Sequence, residues 1–268
     1  MDQVLKGQIA IITGASSGIG AGVAKSLAAA GATVVVNYPV EATKPAADGV
    51  LKEITDAGGT GMVAQCDVSR EDQVVKLFAD VVAAYGTVDI LINNAGLQRD
   101  AKFDEMTLEQ WNTVIGVNLT GQFLCAREAI REFLRRGPRD VSAATGKIIC
   151  MSSVHELIPW GGHVNYATSK GGIKMLMQSL AQEYGDRRIR VNSICPGAIQ
   201  TPINRAAWET PQALNSLMTL IPYNRIGQPQ DIGNLAVFLA SDQSDYITGA
   251  SIFIDGGMTV FEGFSTGG

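Results

Sequence analysis

QIAIITGASSGIG, Gln8 to Gly20, decides how this chain is read. Gln8 to Thr13 is a short apolar, β-branched run, which predicts a strand buried on both faces. Gly14, Gly18 and Gly20 follow at once, and an alanine-rich helical pattern runs from Gly18 to Ala30. Glycines permit a tight turn and let the backbone come close to a pyrophosphate. The helix that follows would offer that anion its free N–H groups and positive dipole end. Three glycines alone make an ordinary turn. Between a first strand and a first helix, G-x-x-x-G-x-G reads as a variant dinucleotide fingerprint.

Working outward, strand-like runs alternate with helical patterns. Strands are predicted at Thr33–Tyr38, Gly61–Cys66, Val88–Asn93, Lys147–Met151, Ile189–Ile194 and Ala250–Asp255. Helices are predicted at Ala46–Asp56, Glu71–Tyr85, Thr107–Asn118, Leu119–Arg136, Tyr166–Tyr184 and Gln228–Ala240. The alternation predicts an α/β fold: a Rossmann-type, doubly wound parallel sheet of about seven strands with helices on both faces. Residues 1–268 are expected to form a single dinucleotide-binding domain. Residues 135–146 read as a surface loop, and about 200–222 as a substrate loop that could cover a cleft.

Bulk properties narrow the function. The 268 residues are 46% hydrophobic and 18% charged, an ordinary globular balance. A net charge of −5 argues against nucleic-acid binding, which wants a basic face. Cys66, Cys125, Cys150 and Cys195 lie apart in apolar stretches and read as buried thiols. With only two histidines and no HExxH, no metal site is expected. MDQVLKGQIAIITG lacks the layout of a signal peptide and no run is long enough to span a membrane, so a cytoplasmic location is expected.

Other motifs close the predicted strands, where open α/β sheets bind ligands. Strand two ends in Asn37-Tyr38. An acidic residue there would select NAD through the ribose, and none occurs before Glu41. NADP is expected, with NAD or dual use as the alternative. Ser16, Ser17 and Lys44 could serve a phosphate, and Lys44 reads equally well as a solvated residue. Asp67-Val68 closes strand three, and Asn94-Ala95-Gly96 closes strand four. In MSSVHELIPWGGHVNYATSK, Ser153 stands at a strand end, and Tyr166 and Lys170 share one helical face. That geometry suits proton transfer, although YxxxK also arises in helices by chance.

TGASSGIG, NNAG, Asn118, Ser153, Tyr166-x-x-x-Lys170 and Pro196-Gly197 together resemble the short-chain dehydrogenase/reductase family over essentially the whole chain. The resemblance implies a four-residue site of Asn118, Ser153, Tyr166 and Lys170. Tyr166 would be the general base, acting as acid in reverse. A free tyrosine, with a pKa of about 10, is too weak a base at neutrality, and the charge of Lys170 would lower it. Ser153 would stabilise charge on the reacting oxygen. The resemblance further implies that Lys170 holds the nicotinamide ribose and that Asn118 positions a water. It implies cofactor contacts from Gly14, Ser16, Ser17, Gly18, Ile19 and Gly20, from Asn37, Tyr38, Asp67 and Val68, and from Pro196, Gly197, Ile199 and Thr201. A homotetramer is also a family expectation.

SSVHELIPW, YATSKGG, PGAIQTPIN and DGGMT resemble stretches of bacterial glucose 1-dehydrogenases. That likeness implies a sugar or polyol substrate, D-glucose at C1 first, bound by His155 and Asn204 beside Ser153 and Tyr166. Gln98 stands where those enzymes carry an acid. Trp160 could stack on a sugar or belong to the core. The alternatives are a 3-oxoacyl carrier-protein reductase, with Arg131, Arg135 and Arg136 attracting an acidic carrier, and a non-catalytic dinucleotide-binding module.

Overall fold

Successive side chains of a strand point to opposite sides of a sheet, so a strand that is apolar throughout needs cover on both. In the computed structural model, which describes residues 3–260, seven such strands build one parallel sheet. The ends of the expected 1–268 domain lie outside the described residues. The strands are β1 (Ile9–Ile12), β2 (Thr33–Tyr38), β3 (Thr60–Gln65), β4 (Ile90–Asn93), β5 (Gly146–Met151), β6 (Ile189–Pro196) and β7 (Ser251–Ile254), in the order β3-β2-β1-β4-β5-β6-β7.

Two apolar cores flank the sheet. On one side Ile12, Val34, Val36 and Ile92 pack against α1 (Gly18–Ala29), α2 (Lys44–Asp56) and α8 (Pro229–Ala240). On the other Ile11, Val35, Leu91 and Ile148 pack against α3 (Glu71–Tyr85), α5 (Gly121–Arg136) and α6 (Val164–Tyr184). Strand order reverses between β1 and β4, which opens a crevice beyond their carboxyl ends.

The helices expected at 107–118 and 119–136 are joined. α4 (Leu108–Ile115) runs through a π-helical turn, Gly116–Thr120, into α5. Asn118 lies in that turn and is fully buried, the kind of local widening that often marks a functional site. The expected loop at 200–222 is largely helical: a 3-10 segment, Pro202–Ala207, precedes α7 (Pro211–Met218). Thr210 caps α7 by accepting from the Ala213 N–H, with Pro211 in the first turn.

All four cysteines are buried and free. Among the described residues no helix is long and apolar enough to cross a membrane, and no three His, Cys, Asp or Glu residues group as metal ligands.

The opposite end of the sheet holds a buried charge cluster. Asp89 pairs with Arg136 at 3.0 Å and with Arg139, and the Lys147 ammonium donates to Gln8 Oε1 at 2.6 Å. Burial lowers the Lys147 pKa from 10.5 to about 8. The unfolded chain therefore holds a proton that the folded one has released between those values, so stability rises with pH across the window. Below about 8 the burial of the charged lysine weighs on the fold in full. Lys147→Met is expected to gain stability relative to wild type at neutral pH, and the gain shrinks by roughly 3 kcal/mol as pH rises toward 10.5. Urea unfolding at several pH values measures it; a difference independent of pH refutes it.

Candidate active site

The carboxyl ends of β1, β4, β5 and β6 open into a cleft of about 1170 Å³. Gly14, Ser16, Ser17, Gly18, Ile19 and Gly20 line one end. Gly14 and Gly18 have φ of +62° and +54°, which side-chain-bearing residues rarely adopt. Ser17 makes no side-chain cap, so the first-turn N–H groups of α1 remain for an anion. A glycine cradle at an uncapped helix end fits the pyrophosphate of a dinucleotide.

Two asparagines shape this loop. Asn94 donates to the carbonyls of Thr13 (2.9 Å) and Gly14 (3.1 Å), while Thr13 Oγ1 accepts from the N–H groups of Asn94 and Ala95. Asn37 Oδ1 accepts from the Gly14 N–H at 3.0 Å, and its amide donates to the carbonyls of Ala64 and Cys66. Asn37 reaches the cleft wall with its amide already engaged. Tyr38 does not reach it: it is 4% exposed and packs in the core beside Val36. Pro39 and Thr43 line the cleft in its place. Lys44 is also elsewhere, paired with Asp48 at 2.9 Å. Asp67, Val68, Ala95 and Gly96 line the cleft, as do Pro196, Gly197, Ile199 and Thr201.

Ser153, Tyr166 and Lys170 meet at the middle of the cleft. α6 puts Tyr166 and Lys170 one turn apart, and the Lys170 ammonium lies 5.3 Å from the Tyr166 ring centre. It donates to the Met151 carbonyl at 2.8 Å, at the end of β5. Burial lowers its pKa to about 8. Tyr166 differs from expectation. Burial pushes its phenol above the ordinary value, against the downward pull of Ser153 and Gln98. The Lys170 ammonium is drawn under the ring toward Met151 and makes no hydrogen bond to the phenol oxygen. Asn118 does not line the cleft. Its Oδ1 accepts from the Leu97 N–H at 2.8 Å, and its amide donates to Leu97 O and Ser169 Oγ, each at 3.1 Å. It ties the loop after β4 to α6.

His155 and Gln98 line the cleft beside Tyr166. His155 Nδ1 lies 3.1 Å from the Ile158 carbonyl, which can only accept, so Nδ1 carries the proton. Burial lowers the pKa of this imidazole and leaves Nε2 as an acceptor. Trp160 stacks on His155 at 4.3 Å and on His163 at 3.6 Å. Both imidazoles cannot share one face at those distances, so Trp160 is sandwiched and has no free face for a sugar. Asn204 lines the cleft, but its Oδ1 accepts from Thr201 N, Thr201 Oγ1 and Trp208 Nε1. It caps a helical turn, and only its amide N–H groups remain.

Sequence reading missed Leu97, Ile158, Ile203, Leu217, Leu220 and Met258, which line the cleft. They carry no motif; only their apolar character outside the predicted strands and helices could have marked them. Arg131 and Arg135 are paired with Glu128 and Glu132, and Arg136 bonds the carbonyls of Val88 and Thr145, which precede β4 and β5. These arginines therefore cluster at the end of α5 remote from the cleft.

A family model described as "Enoyl-(Acyl carrier protein) reductase" matches residues 14–259. A 3beta-hydroxysteroid dehydrogenase of Eggerthella lenta is 44% identical over 98% of both chains. A glucose 1-dehydrogenase of Bacillus subtilis is 38% identical over 96% of both. A gluconate 5-dehydrogenase structure from Burkholderia cenocepacia, in complex with NADP and tartrate, superposes with a TM-score of 0.88 at 33% identity, covering 97% of this chain and 98% of that one. With the glycine cradle, the NNAG staple and the Ser153–Tyr166–Lys170 cluster in one cleft, these likenesses establish that the chain belongs to the short-chain dehydrogenase/reductase family.

Proposed function

We propose that this oxidoreductase interconverts a secondary alcohol and its ketone on a bulky, largely apolar ring substrate, with NADP as cofactor. The observation that carries the reading is the convergence of Ser153, Tyr166 and Lys170 on the cleft that the glycine cradle opens. The nicotinamide, when bound, accepts or donates hydride. Gly14 to Gly20 would hold its pyrophosphate, with Ile199 and Thr201 at the nicotinamide end. No carboxylate lines the cleft at the end of β2 to repel a 2′-phosphate, and an NADP-bound relative supports the same choice. NAD remains the alternative cofactor.

Tyr166 takes the proton from the substrate oxygen during oxidation and returns it during reduction. Ser153 donates to that oxygen as charge builds on it. Lys170 stabilises the phenolate, and Asn118 holds Leu97 and Ser169 in register around them. Three large apolar side chains at the mouth are exposed: Trp160 by 38%, Ile203 by 57% and Leu220 by 50%. An apolar substrate would cover them and exclude water, as fits the hydroxysteroid-acting relative. A sugar is the second reading, favoured by the His155 acceptor and Gln98. The homotetramer belongs to this proposal too, since Phe123, Leu134 and Met175 on α5 and α6 are exposed.

Initial rates of NADP and NAD reduction with a 3β-hydroxysteroid, D-glucose and a polyol, and of NADPH oxidation with an acetoacetyl thioester, test the reading. The steroid is expected to turn over best and with NADP. Exclusive glucose turnover would replace the apolar substrate with a sugar. Silence across the panel in both directions would support the non-catalytic module instead.

A further inference from the structure

Between the short turn Val154–Glu156 and α6 the chain is irregular, and a segment of that kind is ordinarily the mobile part of a cleft wall. Here it is held. The Ala101 N–H donates to the Gly162 carbonyl at 3.1 Å, and the amide of the buried Asn165 donates to the Arg99 carbonyl at 2.8 Å. His163 stands between these two points, with Nδ1 3.0 Å from the Gly161 carbonyl and Nε2 3.3 Å from an Asp100 carboxylate oxygen. The segments after β4 and β5 are therefore joined along residues 99–101 and 161–165.

On that anchor stands a column of rings. The indole of Trp160 lies on His163 with 7° between planes and against His155 with 17°. Tyr166 stands across the side of the column, its ring 6.2 Å from both His155 and Trp160, at 71° and 82°. His155 and Trp160 line the cleft, and His163 does not. With both faces of the indole covered, its edge is what the cleft meets. A substrate whose oxygen reaches Tyr166 lies along this side of the column.

A ring stacked on both faces turns only by breaking both contacts, so the wall is set before a substrate arrives. A rigid fused ring meets such a wall at low entropic cost, because neither partner gives up rotamer freedom. A short acyclic alcohol that reaches Tyr166 covers little of it. We infer that Trp160 is a specificity-determining residue: the fixed wall beside Tyr166 that selects a rigid fused ring, with His163 as the positioning residue that holds it there. This rests on the apolar-ring reading proposed above.

The ketone of the panel steroid and oxidised NADP cannot react with each other. Calorimetric titration of that ketone into the NADP complex therefore reads binding without turnover. Trp160→Ala is expected to weaken this binding by about tenfold. In initial rates, kcat/KM for the steroid is expected to fall about tenfold further than kcat/KM for isopropanol, chiefly through KM. Trp160→Phe keeps an aromatic ring between the imidazoles; it is expected to fall between wild type and Trp160→Ala, and it serves if the alanine variant does not fold. His163→Ala is expected to weaken steroid binding in the same direction, and His163→Phe, which keeps the stack without its hydrogen bonds, to restore it. Unchanged steroid binding in Trp160→Ala, or equal losses on the steroid and isopropanol, overturns the inference, while steroid turnover by the wild type still upholds the proposed reaction. Steroid binding that depends on Trp160 in a protein that turns over nothing in the panel upholds the wall and sinks the reaction. A wild type that turns over glucose and binds no steroid overturns both.

Discussion

Tyr166→Phe is expected to lower kcat by about two to four orders of magnitude, the usual contribution of a positioned proton donor and acceptor, while dinucleotide affinity stays unchanged. The substitution removes one oxygen and keeps the ring. The edge contacts with His155 and Trp160, each at 6.2 Å between centroids, persist, as does the position of the ring above Lys170. Packing and cofactor binding are therefore preserved, and the loss isolates the proton step. Single-turnover rates with the best panel substrate measure it, with a binding titration of NADPH as the control. The raised phenol pKa adds a pH dependence. Oxidation needs the phenolate, so its rate climbs with pH until Tyr166 is deprotonated, while reduction needs the protonated phenol and runs the other way. A Phe variant that oxidises at the wild-type rate would remove Tyr166 from the role of base.

The fold was legible because its strands are apolar on both sides and its helices amphipathic or small-residue-rich, a pattern that few architectures satisfy. The site was legible where backbone conformation or chemistry restricts residue choice: Gly14 and Gly18, the Asn94 staple, and the Tyr166–Lys170 turn. What the sequence left hidden lies where one residue type serves two purposes. Tyr38 ends a strand, but strand periodicity puts it with Val34 and Val36 on the core side, and only Asn37 faces the loop. Asn204 has the chemistry of a sugar ligand, yet Thr201-Pro202-Ile203-Asn204 is also a capping pattern, and the cap takes its oxygen. The sandwich of Trp160 between His155 and His163 depends on an irregular segment whose path no periodicity encodes. The helical content of 200–222 was within reach, since Thr210-Pro211 is a helix-start signal.

Gly20→Ala is expected to weaken NADP binding by tenfold or more, and the reason is space. A Cβ at position 20 would stand 2.4 Å from the Gly14 carbonyl oxygen, 2.6 Å from Asn94 Nδ2 and 2.9 Å from Ala15 Cα. None of these can step aside alone. Gly14 O is where Asn94 donates, and Asn94 is pinned to Thr13 by two further hydrogen bonds. The loop must open as a unit, carrying the first-turn N–H groups of α1 away from the pyrophosphate position. Overpacking of this kind costs about 1–3 kcal/mol, and about 1.4 kcal/mol is a factor of ten in affinity. Gly49→Ala on the exposed face of α2 is the matched control. Nothing lies within 4 Å of its Cβ, so there the methyl group should only favour the helix, by about 0.5–1 kcal/mol. Dissociation constants for NADP and thermal midpoints of both variants separate the cases. Wild-type affinity in Gly20→Ala would mean that the loop can flex around Asn94, and the tight cradle would then not be what holds the dinucleotide.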